Sequence, residues 1–183
     1  MEKKVYTPLD DKVIEDLRAG DKVLITGYIY TARDAAHKRM VQTIEIGKPL
    51  PFDVKGQVLY YVGPTPPKPG QVIGSAGPTT AIRMDKYVEA LLKLGLKGMI
   101  GKGYRTSQVR ELLKKYKAVY FATVGGIAVL LSKCIKSSEI VAYEDLGTEA
   151  IRRLYVENFP AVVANDIYGG DIFEEGRKRF AII

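Results

Sequence analysis

The alternation of apolar and polar positions along the chain changes near residue 71. Before that point it predicts mainly strands, at residues 22–30 and 57–63, with short helices at 9–18 and 34–45. After it, short apolar strands alternate with amphipathic helices. The predicted strands of this second part are 71–76, 97–101, 118–122, 140–143 and 161–164, and the predicted helices are 80–94, 107–116, 126–134 and 148–158, the last capped by Thr148.

This alternation predicts the α/β class, with a mixed, largely parallel sheet flanked by helices. The strand-rich first part is too short, and too well mixed with helix, to form a unit of its own. For a chain of 183 residues we therefore expect a single domain over 1–183.

The composition is that of a globular protein, since 46% of the residues are hydrophobic and 27% are charged. No apolar run approaches the roughly 20 residues that span a bilayer. No apolar segment follows the charged residues at the start of the chain, so we expect a cytoplasmic protein without a secretory signal. The net charge is +7, but acidic residues are interspersed among the basic ones. This pattern disfavours nucleic acid as the partner and favours small acidic substrates.

One cysteine and one histidine limit the metal chemistry of the chain. Cys134 lies in an apolar, helix-like stretch and is expected to be a structural thiol. A single thiol excludes an intrachain disulfide or a multi-thiolate site, and a single histidine, His37, excludes a histidine-rich site. The ligands of any metal centre must therefore come mostly from elsewhere.

Residues 74–85 are the first candidate segment for chemistry. A predicted strand ends, two glycines allow a tight turn, and a helix is predicted to begin at Pro78 or Thr79. The free N–H groups of a helix N-terminus attract carboxylates, and the hydroxyls of Thr79 and Thr80 add donors. Arg83, one turn further along, suits a two-pronged pair with a carboxylate. The alternative is an ordinary helix start with a surface arginine.

Two further segments carry titratable or cationic groups after a strand. Arg33 and His37 are four residues apart, and histidine is the usual proton-transfer residue near neutral pH. A lone histidine is also often structural, and that alternative stays open. Lys102 lies between two glycines that allow close approach of a ligand, but the spacing is not that of a P-loop. Residues 123–127 and 143–147 are weaker candidates, with close packing and helix-start acids as the alternatives.

All of these segments follow a predicted strand. In an open α/β sheet, ligands bind beyond the carboxyl ends of the strands. A single opening at that edge would gather cationic groups, hydroxyls and a histidine. This set suits a small dianion.

Several motifs together resemble those of class I fumarate hydratase, in its C-terminal domain or its separate β subunit. They are ARDAAH at 32–37, SAGPTT-x-x-RMD at 75–85 and GMIGKG at 98–103, supported by VGG at 124–126, YEDLG at 143–147 and ND at 165–166. They occur in the family's order over residues 5 to 175. The β subunit of L-tartrate dehydratase has similar segments, so the resemblance leaves the substrate open between fumarate and tartrate.

The resemblance implies a swivelling β/β/α domain and the reversible hydration of fumarate to (S)-malate at a 4Fe–4S cluster. Three cysteines of a cluster-bearing α subunit would hold that cluster, whose open iron acts as a Lewis acid. The assembly would contain two copies of each chain. This chain alone would then be inactive.

The resemblance also assigns roles to residues. Arg33, Thr80, Arg83 and Lys102 would bind the substrate. Thr79 matches the proton-abstracting residue, and His37 matches the motif histidine. A threonine hydroxyl is a poor base and needs an adjacent base. His37, an acid such as Asp34 or Asp85, or a carboxylate of the partner chain could serve.

Two other classes of function remain as alternatives. The same opening could belong to a dicarboxylate-binding module without catalysis, which would bind anions with no partner chain. A nucleic-acid-associated protein would explain the charge and would show steeply salt-dependent binding.

Overall fold

A computed structural model of the protein describes residues 2–181. Within this range the strands are β1 Lys3–Tyr6, β2 Lys22–Thr31, β3 Val58–Tyr60, β4 Gly98–Gly101, β5 Val119–Ala122, β6 Ile135–Ala142 and β7 Ile151–Asn165. The α-helices are α1 Asp11–Asp16, α2 Asp34–Glu45, α3 Asp85–Lys93, α4 Ser107–Tyr116, α5 Ala128–Lys133 and α6 Ile172–Phe180. A 3-10 helix spans Ala81–Met84, and a second 3-10 segment, Glu144–Glu149, is kinked at Gly147 (φ 57°, ψ −112°).

The seven strands form one mixed sheet in the order β1-β2-β3-β4-β5-β7-β6. The strands β1 to β5 pair in parallel, and β7 runs antiparallel to β2, β5 and β6. The predicted α/β class with a mixed sheet is therefore confirmed, with the parallel pairing confined to β1 to β5. The additional pairing of β2 with β7 closes the sheet on itself, so the open sheet that the sequence led us to expect is wrong.

Both faces of the central strands are buried. Along β3 and the residue after it, Val58 and Tyr60 belong to an inner hydrophobic cluster that includes residues of β1, β2 and β7. Leu59 and Tyr61 point the other way, into an outer cluster shared with α2, α3 and α4. Alternate residues of a strand face opposite sides of the sheet, so a strand buried on both sides has a continuous apolar run.

The predicted helix at 148–158 is wrong, because these residues belong to the 3-10 segment Glu144–Glu149 and to the long strand β7. Ile151 and Leu154 have the i, i+3 spacing of a helix face, and Thr148 resembles a cap. In the structure the side chains of Ile151 and Leu154 are buried, but they lie in the strand β7 and not on a helix. Register shifts in the β6–β7 pairing, one of them between Ile140 and Ala142, break the strict two-residue period.

Other predicted boundaries also change. Residues 71–76 are not a strand; Thr65 and Ser75 hydrogen-bond to each other, from the Thr65 N–H to the Ser75 carbonyl (3.1 Å) and from the Ser75 N–H to the Thr65 hydroxyl (2.8 Å). The predicted helix 80–94 begins as the short 3-10 helix before α3. The strand β1 and the helix α6 were not predicted. Residues 2–181 include no helix that combines the length and the apolar character needed to cross a membrane.

Candidate active site

The carboxyl ends of four neighbouring parallel strands, β2 to β5, lie at one edge of the sheet. Arg33 follows β2, Gly63 follows β3, Lys102 follows β4 and Gly125 follows β5. This is the edge at which α/β proteins bind ligands. We call the five candidate residues at or near this edge, Arg33, Thr79, Thr80, Arg83 and Lys102, the mouth.

Thr79 and Thr80 run as an extra extended segment beside the end of β4. The Thr79 N–H donates to the Tyr61 carbonyl (2.6 Å), and the Lys102 N–H donates to the Thr79 carbonyl (3.1 Å). The Ala81 N–H in turn donates to the Lys102 carbonyl (2.9 Å), so Thr80 and Lys102 form a parallel bridge. The backbone therefore places Thr80 beside Lys102, and Thr79 between Tyr61 and Lys102.

This arrangement corrects the predicted helix N-terminus at Pro78 or Thr79. Thr80 is extended, with φ −60° and ψ 117°, and its hydroxyl does not cap the helix that follows. The N–H of Ala81, the first helical residue, is already bonded to Lys102. The threonines therefore lie in a strand-like segment, and the four-residue 3-10 helix offers no separate anion site.

Arg83 is linked to the start of α2. Its Nε lies 3.1 Å from Oδ1 of Asp34, and its Nη2 lies 3.0 Å from Oδ2. Asp34 is the residue after Arg33, so this pair joins two segments that are far apart in sequence. The Arg83 side chain is 51% exposed, which leaves the guanidinium accessible to a second carboxylate.

Arg33 has its own carboxylate neighbour. Its Nη2 lies 3.5 Å from Oε1 of Glu149, and both side chains are mostly buried. Its Nη1 lies close to Gly63. Glu149 was not among the residues that the sequence singled out, because it comes from the segment that was predicted to be a helix.

Lys102 is exposed, and no carboxylate of residues 2–181 forms an ion pair with it. A side-chain carbon at Gly125 would lie 3.7 Å from the lysine Cδ. The end of β5 therefore borders the Lys102 side chain. An exposed ammonium without a carboxylate neighbour is suited to binding an external anion.

His37 does not reach this surface. Its ring is 0% exposed and lies edge-on to Tyr61, with the ring centres 5.3 Å apart. Its Nδ1 lies 2.8 Å from the Arg33 carbonyl and donates to it. Burial lowers the pKa of His37 from 6.5 to about 4, although that hydrogen bond opposes the shift. The ring is therefore neutral near pH 7, and its burial argues against direct proton exchange with a ligand in the mouth.

Asp85, another candidate base, is also occupied. Its Oδ1 lies 2.8 Å from Nε of Arg105, which is completely buried, and its Oδ2 accepts from the N–H (2.8 Å) and hydroxyl (2.7 Å) of Thr106. Arg105 also donates to the Tyr61 hydroxyl (3.1 Å). The sequence did not reveal Arg105, because burial of an arginine cannot be read from a polar loop that follows Lys102.

No group of three or more His, Cys, Asp or Glu side chains that could hold a metal ion occurs in the described part of the chain. Cys134 is half-buried at the end of α5, and burial raises the pKa of its thiol. The residues of this chain do not provide the thiolate set that an iron–sulfur cluster needs.

The sequence model of the family described as Fumarase C-terminus matches residues 3–176. The chain is 44% identical over 156 residues to fumarate hydratase 1, mitochondrial, of Leishmania major, and 42% identical over 156 residues to the anaerobic class I fumarate hydratase of Escherichia coli K12. Each alignment covers 84% of this chain and 28% of the relative, so the chain spans less than a third of these fumarate hydratases.

The β subunit of L(+)-tartrate dehydratase from Escherichia coli K12 is similar over most of its length. It is 33% identical over 186 residues, which cover 99% of this chain and 91% of that subunit. The chain therefore corresponds to a separate subunit in the tartrate dehydratase. In the fumarate hydratases it corresponds only to a C-terminal region.

Proposed function

The chain belongs to the Fumarase C-terminus family, and from this premise we propose that it is the β subunit of a two-chain 4Fe–4S hydro-lyase that interconverts fumarate and (S)-malate. The full-length similarity to a tartrate dehydratase β subunit supports the assignment to a subunit. The higher identity to fumarate hydratases, 44% and 42% against 33%, favours fumarate as the substrate. L-tartrate is the second candidate, because it also carries two carboxylates.

The observation that carries the proposal is the parallel bridge between Thr80 and Lys102. It places Thr80 beside the exposed Lys102, with Thr79 one residue earlier, at the carboxyl edge of the parallel strands. The Asp34–Arg83 pair brings a guanidinium from the 3-10 helix to the start of α2, next to Arg33. Together these groups suit a dicarboxylate better than a neutral or cationic ligand.

In this proposal Arg33, Arg83 and Lys102 bind the two substrate carboxylates, and Thr80 donates a hydrogen bond to one of them. Arginine offers two parallel N–H donors to a carboxylate, and lysine offers a compact charge. Binding at both ends fixes the carbon atoms between the carboxylates relative to the mouth.

Thr79 is the proposed catalytic residue, with its hydroxyl at the carbon that loses or gains the proton. A threonine hydroxyl needs a base to activate it. Asp34 is paired with Arg83, Asp85 is paired with Arg105, and the His37 ring is buried. A carboxylate of the partner chain is therefore the base that we favour. The His37 ring instead supports Arg33, by donating a hydrogen bond to the Arg33 backbone carbonyl.

The cluster in this proposal belongs to the partner chain, because residues 2–181 lack a ligand set for it. We further propose that the assembly contains two copies of each chain, that this chain is inactive alone and that the enzyme works in the cytoplasm. We also infer that residues 1–183 form a single domain, since β7 pairs with both β2 and β5 and so joins the two halves of the chain. From the family membership alone we propose that this domain is of the swivelling β/β/α type.

The test is reconstitution with a cluster-bearing chain under anaerobic conditions. Fumarate hydration and L-tartrate dehydration are measured with this chain alone, with the partner alone and with the mixture. Fumarate hydration by the mixture only is the expected result. Activity on tartrate alone would select the second substrate. Equal dicarboxylate binding with and without the partner, and no turnover of either substrate, would refute the proposal.

A further inference from the structure

We propose that Glu149 is a positioning residue that holds the Arg33 guanidinium in the orientation the mouth requires. This inference rests on the proposed role of Arg33 as a ligand of a substrate carboxylate. The inference also assigns a role to the 3-10 segment Glu144–Glu149, for which the proposed function gives none.

Glu149 is anchored independently of Arg33. Its Oε2 accepts a hydrogen bond from the Ala35 N–H (2.9 Å) in the first turn of α2. Arg33, which precedes this helix, provides no side-chain cap. Glu149 therefore satisfies one of the free N–H groups at the helix start, and the positive end of the helix favours its charge.

The other oxygen of Glu149 faces Arg33. Its Oε1 lies 3.5 Å from Nη2, which is longer than the roughly 2.7–2.9 Å of a strong charge-assisted hydrogen bond. Glu149 thus attracts one side of the guanidinium without occupying all of its donors. Donors remain for a substrate carboxylate.

Gly63 limits Arg33 on another side. A side-chain carbon at Gly63 would lie 2.6 Å from Nη1 and 3.2 Å from Cδ of Arg33. The arginine therefore passes directly over the glycine backbone, and any larger residue there would displace it. Contact with Gly63 and attraction by Glu149 together restrict the directions in which the guanidinium can point.

A second ion pair provides a matched control. Arg39 of α2 forms a two-pronged pair with Asp145 of the same 3-10 segment, on the other side of the kink at Gly147, with both N–O distances 2.7 Å. Asp145→Asn weakens the ion pair between α2 and this segment without changing Glu149, the carboxylate neighbour of Arg33. Glu149→Gln keeps an oxygen for the Ala35 N–H and removes only the charge that faces Arg33.

The experiment compares Glu149→Gln, Asp145→Asn and the parent chain in the assembled two-chain enzyme. We expect Glu149→Gln to raise KM for the dicarboxylate about tenfold with kcat changed less than about twofold, because a misdirected arginine weakens binding. Asp145→Asn should keep KM within about twofold of the parent. An unchanged or lower KM in Glu149→Gln, or an equal rise in Asp145→Asn, would overturn the proposal.

A second readout does not depend on turnover. In the chain alone, the Arg33 Nε–H signal in NMR spectra, assigned by its loss in Arg33→Lys, reports the order of the guanidinium. The guanidinium should be ordered in the parent and in Asp145→Asn, and it should be mobile in Glu149→Gln. Equal mobility in the parent and in Glu149→Gln would overturn the positioning role. Failure of the assembled enzyme to turn over either substrate would instead refute the proposed function.

Discussion

Arg83 and Asp34 form a two-pronged ion pair, with Nε 3.1 Å from Oδ1 and Nη2 3.0 Å from Oδ2. The pair crosses from the 3-10 helix Ala81–Met84 to the first residue of α2. Both side chains are partly exposed, so solvent screens their attraction and the pair contributes little to folding stability. Its consequence is geometric, because it fixes a guanidinium beside the segment that carries Arg33.

Arg83→Ala should therefore reduce catalysis much more than stability. Loss of one member of a charge pair with a bound substrate costs about 2–5 kcal/mol, which corresponds to a fall in kcat/KM by orders of magnitude. The melting temperature of the chain should stay within about 2 °C of the parent, as expected for surface substitutions.

Arg39→Ala is the matched control, since Arg39 also forms a two-pronged pair with an aspartate but lies outside the mouth. Its kcat/KM should stay near that of the parent. A kcat/KM of Arg83→Ala within threefold of the parent would remove Arg83 from the proposed site.

Lys102→Met should weaken substrate binding without loss of stability. No ion pair with Lys102 is formed by residues 2–181, and its side chain is exposed. Removal of the ammonium should raise KM for the dicarboxylate about tenfold or more, and a higher salt concentration should narrow the difference from the parent. Lys38→Met, at an exposed position of α2, should leave KM unchanged. Equal KM values for the two variants would contradict the role of Lys102.

The sequence predicted the fold class and most elements because local patterns carry that information. The strand 118–122 and the helix 107–116 are close to β5 and α4, where the apolar spacing and the caps agree with the tertiary structure. The error at 148–158 has a tertiary cause. β7 lies between β2 and β6 along part of its length, and this pairing overrides a local spacing that favours a helix.

The candidate site was predictable in part for a similar reason. Parallel strands bring the residues that follow them to one edge, so Arg33 and Lys102 could be placed from the strand pattern. The partners of the charged groups could not, since the Arg33–Glu149 and Arg105–Asp85 pairs join residues from distant segments. The same holds for the burial of His37, because helix spacing alone does not show which face of α2 lies against Tyr61.

Arg105→Met should destabilise the fold strongly. The Arg105 side chain is 0% exposed, and its Nε lies 2.8 Å from Oδ1 of Asp85, which is itself mostly buried. Removal of one member of a buried ion pair leaves the other charge uncompensated, at a cost of about 3–5 kcal/mol. Urea denaturation should show this loss, and the double variant Arg105→Met with Asp85→Asn should regain part of it.

The control for this measurement is Arg153→Met, which breaks an exposed ion pair with Glu139. Its free energy of unfolding should stay within about 1 kcal/mol of the parent. A loss below about 1 kcal/mol in Arg105→Met would mean that the buried pair does not stabilise this part of the fold.

The burial of His37 predicts how stability depends on pH. Burial lowers the pKa of the folded state to about 4 from 6.5. Above pH 6.5 the ring is neutral in both the folded and the unfolded state, so its titration does not change the free energy of unfolding. Between 6.5 and 4 the unfolded chain binds a proton that the folded chain does not, so the free energy of unfolding falls by up to about 3 kcal/mol. Below pH 4 both states are protonated and this loss stops growing.

His37→Asn isolates this effect, because the asparagine amide can still donate to the Arg33 carbonyl. The difference in unfolding free energy between parent and variant should change across this pH range and level off outside it. Urea denaturation at several pH values between 4 and 8 measures it. Parallel pH profiles for the two proteins would show that the ring is not held neutral by burial.

Thr79→Val tests the chemical step directly. The backbone bonds from Thr79 to Tyr61 and Lys102 do not involve the side chain, and valine has nearly the shape of threonine without the hydroxyl. We expect kcat to fall by about 10²–10⁴ if the hydroxyl takes part in proton transfer, with a much smaller change in KM. Thr79→Ser should recover part of the rate, because it restores the hydroxyl.

Thr80→Val, one residue further along, should affect KM more than kcat, since the proposed role of Thr80 is binding. Exchange of the malate C3 proton with deuterated water, followed by NMR, separates proton transfer from the other steps. Normal exchange in Thr79→Val would place the proton-abstracting group elsewhere.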